Sequence, residues 1–117
     1  MIELRLTGHE PLPKQSFRYA GKGRGYTDPR IKAWQLAVHW KAKEIMQDTP
    51  PLEGDLKVYI EFTRSNRIRV DLDNLSKGVL DSMNGVVYKD DKQIIDLHLV
   101  KLFDEVPGLY VRVEEIE

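Results

Sequence analysis

Asp71, Asp73 and Asn74 stand just before a predicted helix, and Asp90 and Asp91 just before a predicted strand. Lys77 lies one turn into that helix. Several carboxylates with one ammonium form the donor set of a hard divalent cation working on phosphate esters. Mg²⁺ takes oxygen ligands and retains waters that can be turned into nucleophiles. Val70 and Leu72 alternate with Asp71 and Asp73, so in an extended segment both aspartates project to the same side, as a shared metal requires. A fold that joins the two element starts would complete the site. Taken singly, each aspartate is as well explained by helix capping or a solvated turn.

The elements that must position these residues follow from periodicity. Ile2, Leu4 and Leu6 alternate with polar residues as in a half-buried strand, which Pro11 and Pro13 end. Lys14 to Pro29 has no periodicity and reads as a loop with Gly21, Gly23 and Gly25, which lack the spacing of a nucleotide-binding fingerprint. Thr27 or Asp28 caps a helix running to about Gln47, with Pro29 at its first position. Its apolar residues are Ile31, Trp34, Leu36, Val38, Ile45 and Met46, and both Trp34 and Trp40 read as packing residues. Leu56, Val58, Ile60 and Phe62 define a second strand. Asp73 or Asn74 caps the second helix, with Leu75, Val79, Leu80 and Met83 buried, and Asn84-Gly85 ends it. Asp73, Lys77 and Asp81, four residues apart, line one stripe of it. Val86 to Tyr88 reads as a brief strand. Ile95, Leu97 and Leu99 then mark a strand buried on at least one face, which passes through a hairpin connection, Phe103 to Gly108, to Leu109, Val111 and Val113. His39 and His98 read as structural. The fold expected is α+β: a single domain over residues 1–117, with a mixed sheet of about four strands and two helices covering one face.

Asp71, Asp73, Asn74, Leu75, Lys77, Asp81, Asn84 or Gly85, Asp90, Asp91 and Gln93 together make a pattern far more specific than one Asp-x-Asp. The pattern resembles the RusA family of Holliday-junction endonucleases, and the chain's length fits that family throughout. The resemblance implies Asp71, Asp73 and Asp91 as metal ligands and Lys77 as the essential lysine, with these four forming the catalytic set. It also implies Mg²⁺ (Mn²⁺ substituting), four-way DNA junctions as substrate, paired symmetric nicks and a C2 homodimer. Asp90 is either a ligand or a neighbour that orients one, and Gln93 and Asn74 are expected to orient carboxylates.

With 117 residues, 41% of them hydrophobic and 32% charged, the chain reads as one globular unit. No apolar run approaches the roughly 20 residues that span a bilayer, and the N-terminus lacks a signal peptide's apolar core. The absence of cysteine excludes disulfides, thiolate metal sites and a cysteine nucleophile. Together these give a cytoplasmic expectation. The net charge of −1 is unevenly spread: six basic residues face Asp28 alone between Lys14 and Lys32, while the tail from Asp104 holds five acids. Lys14, Arg18, Arg24, Arg67 and Arg69 are the candidate DNA contacts, since basic and aromatic loop residues suit phosphates and stacked bases. Two other readings compete with the junction nuclease. One is a metal-dependent nucleotide or flap phosphohydrolase, and the other is an inactive junction-binding protein.

Overall fold

The computed structural model describes residues 1–14 and 28–117, and between them only the backbone pairing of Arg18–Tyr19 with Gly25–Tyr26. The elements in chain order are β1 (Ile2–Thr7), β2 (Arg18–Tyr19), β3 (Gly25–Tyr26), α1 (Pro29–Met46), β4 (Leu56–Arg64) and α2 (Leu72–Met83). A 3-10 turn (Asp91–Gln93), β5 (Ile94–Phe103) and β6 (Gly108–Glu115) follow. The four long strands form a mixed sheet in the order β1-β6-β4-β5, with β4 and β5 parallel and the other pairs antiparallel. The expected α+β class, four-stranded sheet and two helices are all present.

The core lies between one face of the sheet and the two helices. Along β4, Leu56, Val58, Ile60 and Phe62 are fully buried and their alternates half-buried. Leu109, Val111 and Val113 of β6 face the same way. From α1 they meet Trp34, Val38, Ala42 and Met46, each four residues after the last. That stripe is narrower than the sequence suggests, so Leu36 and Trp40 turn outward, and Trp40 is not a packing residue. Asp28 caps α1 as expected, accepting from the Arg30 N–H.

Four further expectations change. The unpatterned segment after Lys14 contains the β2–β3 pair, too short for alternation to reveal. Residues 15–17, 20–24 and 27 of the expected loop, including the Gly21 and Gly23 positions, lie outside the described residues. Val86 to Tyr88 is a buried tight turn after Gly85, whose φ of +76° suits glycine. The link from Phe103 to Gly108 is not a hairpin between neighbours, because β4 lies between β5 and β6. Finally, β5 is an edge strand with no fully buried residue, so Ile95 and Leu97 are exposed. Gly108 is required where β6 meets β1, since a Cβ there would come within 2.8 Å of the Leu6 carbonyl oxygen.

Arg64, at the end of β4, is not the solvated loop charge its sequence neighbourhood suggests. It is only 4% exposed and donates to the Pro11 carbonyl at 2.8 Å and to Asn66 Oδ1 at 3.0 Å. Glu10 in turn accepts from the Ser65 N–H, the Ser65 hydroxyl and the Asn66 amide. The loop leading from β4 to Asp71 is thereby bolted to the segment after β1. Arg64→Ala is expected to destabilise the protein by about 2–4 kcal/mol, because it orphans buried acceptors of a charged donor. Urea unfolding monitored by circular dichroism measures this.

Candidate active site

The extended backbone expected through Asp73 reaches only Asp71 (φ −69°, ψ 137°), which is the N-cap of α2 in place of Asp73 or Asn74. Its carboxylate makes no capping hydrogen bond. Asp73 lies in the first helical turn and is exposed. Both acids sit where the positive end of the helix dipole favours negative charge. One turn on, Lys77 Nζ is 3.9 Å from Asp73 Oδ2, and Asp73, Lys77 and Asp81 form the exposed stripe their spacing predicted. This arrangement presents two carboxylates and an ammonium to solvent from one rigid element.

Asp90 and Asp91 lie beyond the other end of α2. Asp90 caps the 3-10 turn, accepting from the Lys92 N–H at 2.9 Å, which holds its carboxyl below the usual range. Gln93 does not orient a carboxylate. Its Oε1 accepts from the Asp90 N–H, and its Nε2 donates to the Leu52 and Gly54 carbonyls, so it fixes the backbone of the turn. Asn74, the other residue expected to orient a carboxylate, lends its backbone carbonyl to the Lys14 N–H. Asp91 is half-buried, its side chain hydrogen-bonded with those of Asp90 and Asn84. Partial burial pushes its carboxyl up, as do the neighbouring charges of Asp90 and Asp81, while the Asn84 side chain acts the other way. Beneath them Tyr88 is fully buried and donates to the Leu80 carbonyl at 2.7 Å. The sequence reading missed Tyr88, whose one signal was the apolar run it closes.

The two groups are not brought together within one chain. Asp73 and Asp81 lie eight residues apart on α2, so about 12 Å of helix separates Asp73 from the end where Asp91 meets Asp81 and Asn84, and Asp71 lies farther still. Among the described residues, no three acids or histidines converge on a point that holds a metal ion. The expected meeting of the two element starts fails because β4 and β5 are parallel. A helix linking parallel strands must run back along the sheet, so its start and end lie at opposite ends of the strands. The donor chemistry nonetheless suits a hard cation: Asp71 makes no capping hydrogen bond, Asp73 is exposed, and Asp91 sits among like charges that a cation would relieve.

The family profile described as Endodeoxyribonuclease RusA matches residues 9–114. The chain belongs to this family. Among curated relatives, the Uncharacterized protein YqaN of Bacillus subtilis (strain 168) is 44% identical over 85 residues, 58% of this chain and 60% of that protein. The match thus spans less than two thirds of YqaN. The Crossover junction endodeoxyribonuclease RusA of Aquifex aeolicus is 29% identical over 106 residues, 89% of this chain and 82% of its own. The protein of that name from Escherichia coli (strain K12) is 32% identical over 95 residues, 79% and 78% of the two chains.

In this RusA-family chain the basic residues singled out from sequence fall into three situations. Lys14 is ion-paired with Asp81, and its N–H donates to the Asn74 carbonyl at 2.9 Å. The Arg67 guanidinium lies 4.2 Å from the centre of the Phe103 ring, while Arg69 is exposed two residues before Asp71. The Arg18 side chain and the whole of Arg24 lie outside the described residues. An anchor not read from sequence is Lys101, whose ammonium donates to the Val70 carbonyl at 2.7 Å and ties β5 to the start of α2. No helix among the described residues is long and apolar enough to cross a membrane.

The crowding of Asp91 has a measurable sign. Its folded pKa lies above the ordinary 3.8, so ionising it costs stability as pH rises from that value through the folded pKa. In chelator-containing buffer, Asp91→Asn is therefore expected to melt higher than the parent at pH 7, with the difference vanishing well below pH 3.8. Paired thermal melts across that range check it.

Proposed function

We propose that this chain is a divalent-metal-dependent endonuclease that resolves four-way DNA junctions as a homodimer, with Mg²⁺ as the ion and Mn²⁺ able to replace it. The observation that carries this reading is the split carboxylate set on α2: Asp71 and Asp73 beside Lys77 at one end, Asp91 at the other. Family membership and the names of the Aquifex and Escherichia relatives support the polymer substrate over a free nucleotide. Two matched nicks need two sites, and a two-fold dimer provides them.

Asp71 and Asp73 of one protomer, with Asp91 of its partner, would hold the ion. When bound, such an ion polarises the scissile phosphodiester and makes a water nucleophilic at neutral pH. Lys77 stands on the exposed stripe, where its ammonium offsets the negative charge that develops on the phosphate and leaving oxygen. Asp90 and Gln93 keep Asp91 aimed by fixing the turn beneath it. Arg67, held over Phe103, and Arg69 guide the phosphate backbone towards Asp71, and Lys14, Arg18 and Arg24 are the further phosphate contacts that the sequence offers.

Asp73→Asn is expected to leave junction binding near the parent value while slowing cutting about a thousandfold, the worth of several kcal/mol of charge stabilisation. Gel-shift and cleavage assays on one synthetic junction measure both, and a parallel loss of binding and cutting would argue against a catalytic role. Mixing Asp73→Asn protein with Asp91→Asn protein distinguishes a shared site from a single-chain one. In the mixed dimer a shared arrangement leaves one intact site, and single nicks return. Were each site built within one chain, the mixture would stay dead. Junction affinity should also fall steeply between 50 and 200 mM salt, by roughly 10³-fold if six or more phosphates are contacted. A flat salt response would exclude the basic track.

A further inference from the structure

We propose that Lys14 is a positioning residue for the cleavage reaction: by holding Asp81, it keeps that carboxylate from capturing the Lys77 ammonium, which therefore stays beside Asp73. The inference rests on the role given to Lys77 above and adds the group that directs it.

Lys77 stands between two acids that helical spacing puts within its reach. Residues four apart on a helix are neighbours, so Asp73 lies one turn before Lys77 and Asp81 one turn after. All three are exposed. A long side chain with no other restraint divides its time between two such partners. The field along α2 favours Asp81. The C-terminal end of a helix carries partial negative charge, and there the charges of Asp81, Asp90 and Asp91 act on one another. Yet among the described residues the acid that Lys77 pairs with is Asp73, at 3.9 Å.

Lys14 accounts for that choice. Its ammonium is ion-paired with Asp81. The rest of the residue is laid along the helix. Its N–H donates to the Asn74 carbonyl at 2.9 Å, and its Cβ lies 3.9 Å from where a Cβ on Gly78 would stand. Asn74, Gly78 and Asp81 follow one another at spacings of four and three residues, so Lys14 runs lengthwise beside the stripe that carries Lys77. Gly78 is buried and has no side chain to push Lys14 away. The segment leading to Lys14 is fastened as well. Pro11 is buried with its carbonyl bonded to Arg64, and Leu12 packs against the core.

An exposed ion pair is usually weak, because two free side chains must be ordered to make it. Here one partner extends from a backbone that is already fixed, so less freedom is lost and Asp81 stays occupied. The sequence offers Lys14 as a phosphate contact, but in the structure its ammonium faces an acid of α2.

Single-turnover cleavage of a synthetic four-way junction, with Mg²⁺ and protein in saturating excess, tests this, because a lost phosphate contact then drops out of the rate. The variants are Lys14→Gln, Lys14→Arg, Asp81→Asn and the double variant of Lys14→Gln with Asp81→Asn, each checked by thermal melting to be folded at the assay temperature. Lys14→Gln is expected to cut about two- to fivefold slower, the population shift that one exposed carboxylate imposes on an ammonium. Lys14→Arg should retain the parent rate. In the double variant no acid is left to divert Lys77, so most of the lost rate should return, and Asp81→Asn alone should cut no slower than the parent. A saturated rate for Lys14→Gln equal to the parent's would leave Lys14 a staple or a phosphate contact only. A double variant as slow as Lys14→Gln would clear Asp81 of diverting Lys77. Either result overturns the inference. Lys77→Ala separates it from the larger reading. If that variant cuts slowly while Lys14→Gln does not, the inference alone fails. If it cuts at the parent rate, the role of Lys77 falls and the inference falls with it.

Discussion

The parallel pairing of β4 with β5 is the constraint from which the rest of this molecule follows. Strands that run the same way cannot be joined by a tight turn; the chain must travel back, and here it returns through α2. The loop after β4 therefore lies beyond one end of the strands, and the loop before β5 beyond the other. Asp71 and Asp73 stand where the first loop enters α2, and Asp91 in the turn before β5. Their separation is a property of the topology, which side-chain rearrangement does not remove.

Much of the positioning is done by residues with no part in chemistry. Arg64, Glu10 and Asn66 lock the first loop through hydrogen bonds reaching back to the segment after β1. Asp90 and Gln93 lock the second by a reciprocal cap, with Gln93 also reaching the Leu52 and Gly54 carbonyls. Such a network holds acids firmly at both ends of the helix, where an exposed ion pair such as Lys77 with Asp73 contributes little stability of its own. Asp71 and Asp73 are left exposed and Asp91 crowded, while the turns that carry them are held by hydrogen bonds of their neighbours.

The fold was legible where burial is one-sided. The alternation in β4 and β6 and the glycine after α2 announce themselves, because one face is dry and the other wet. Trp40 and Leu97 were misjudged for the opposite reason: hydrophobicity says what a residue prefers, and an unpaired edge or outer helix face denies it. The hairpin expected at Phe103 to Gly108 failed because sequence adjacency carries no information about the strand inserted between β5 and β6. At the site, the spacing of Asp73, Lys77 and Asp81 was readable as a stripe. The distance from Asp71 to Asp91 was not, since it depends on strand direction. Arg64 looked like its neighbours Arg67 and Arg69 in sequence, and only the carbonyl of Pro11 distinguishes it.

The distance along α2 has a consequence for the cell that makes this protein. On the proposed assembly, a newly made single copy holds an incomplete set of ligands and is inert towards chromosomes. Cutting power then grows as the square of abundance while copies are scarce. A nuclease arranged this way needs no separate inhibitor at low expression, because dilution alone disarms it.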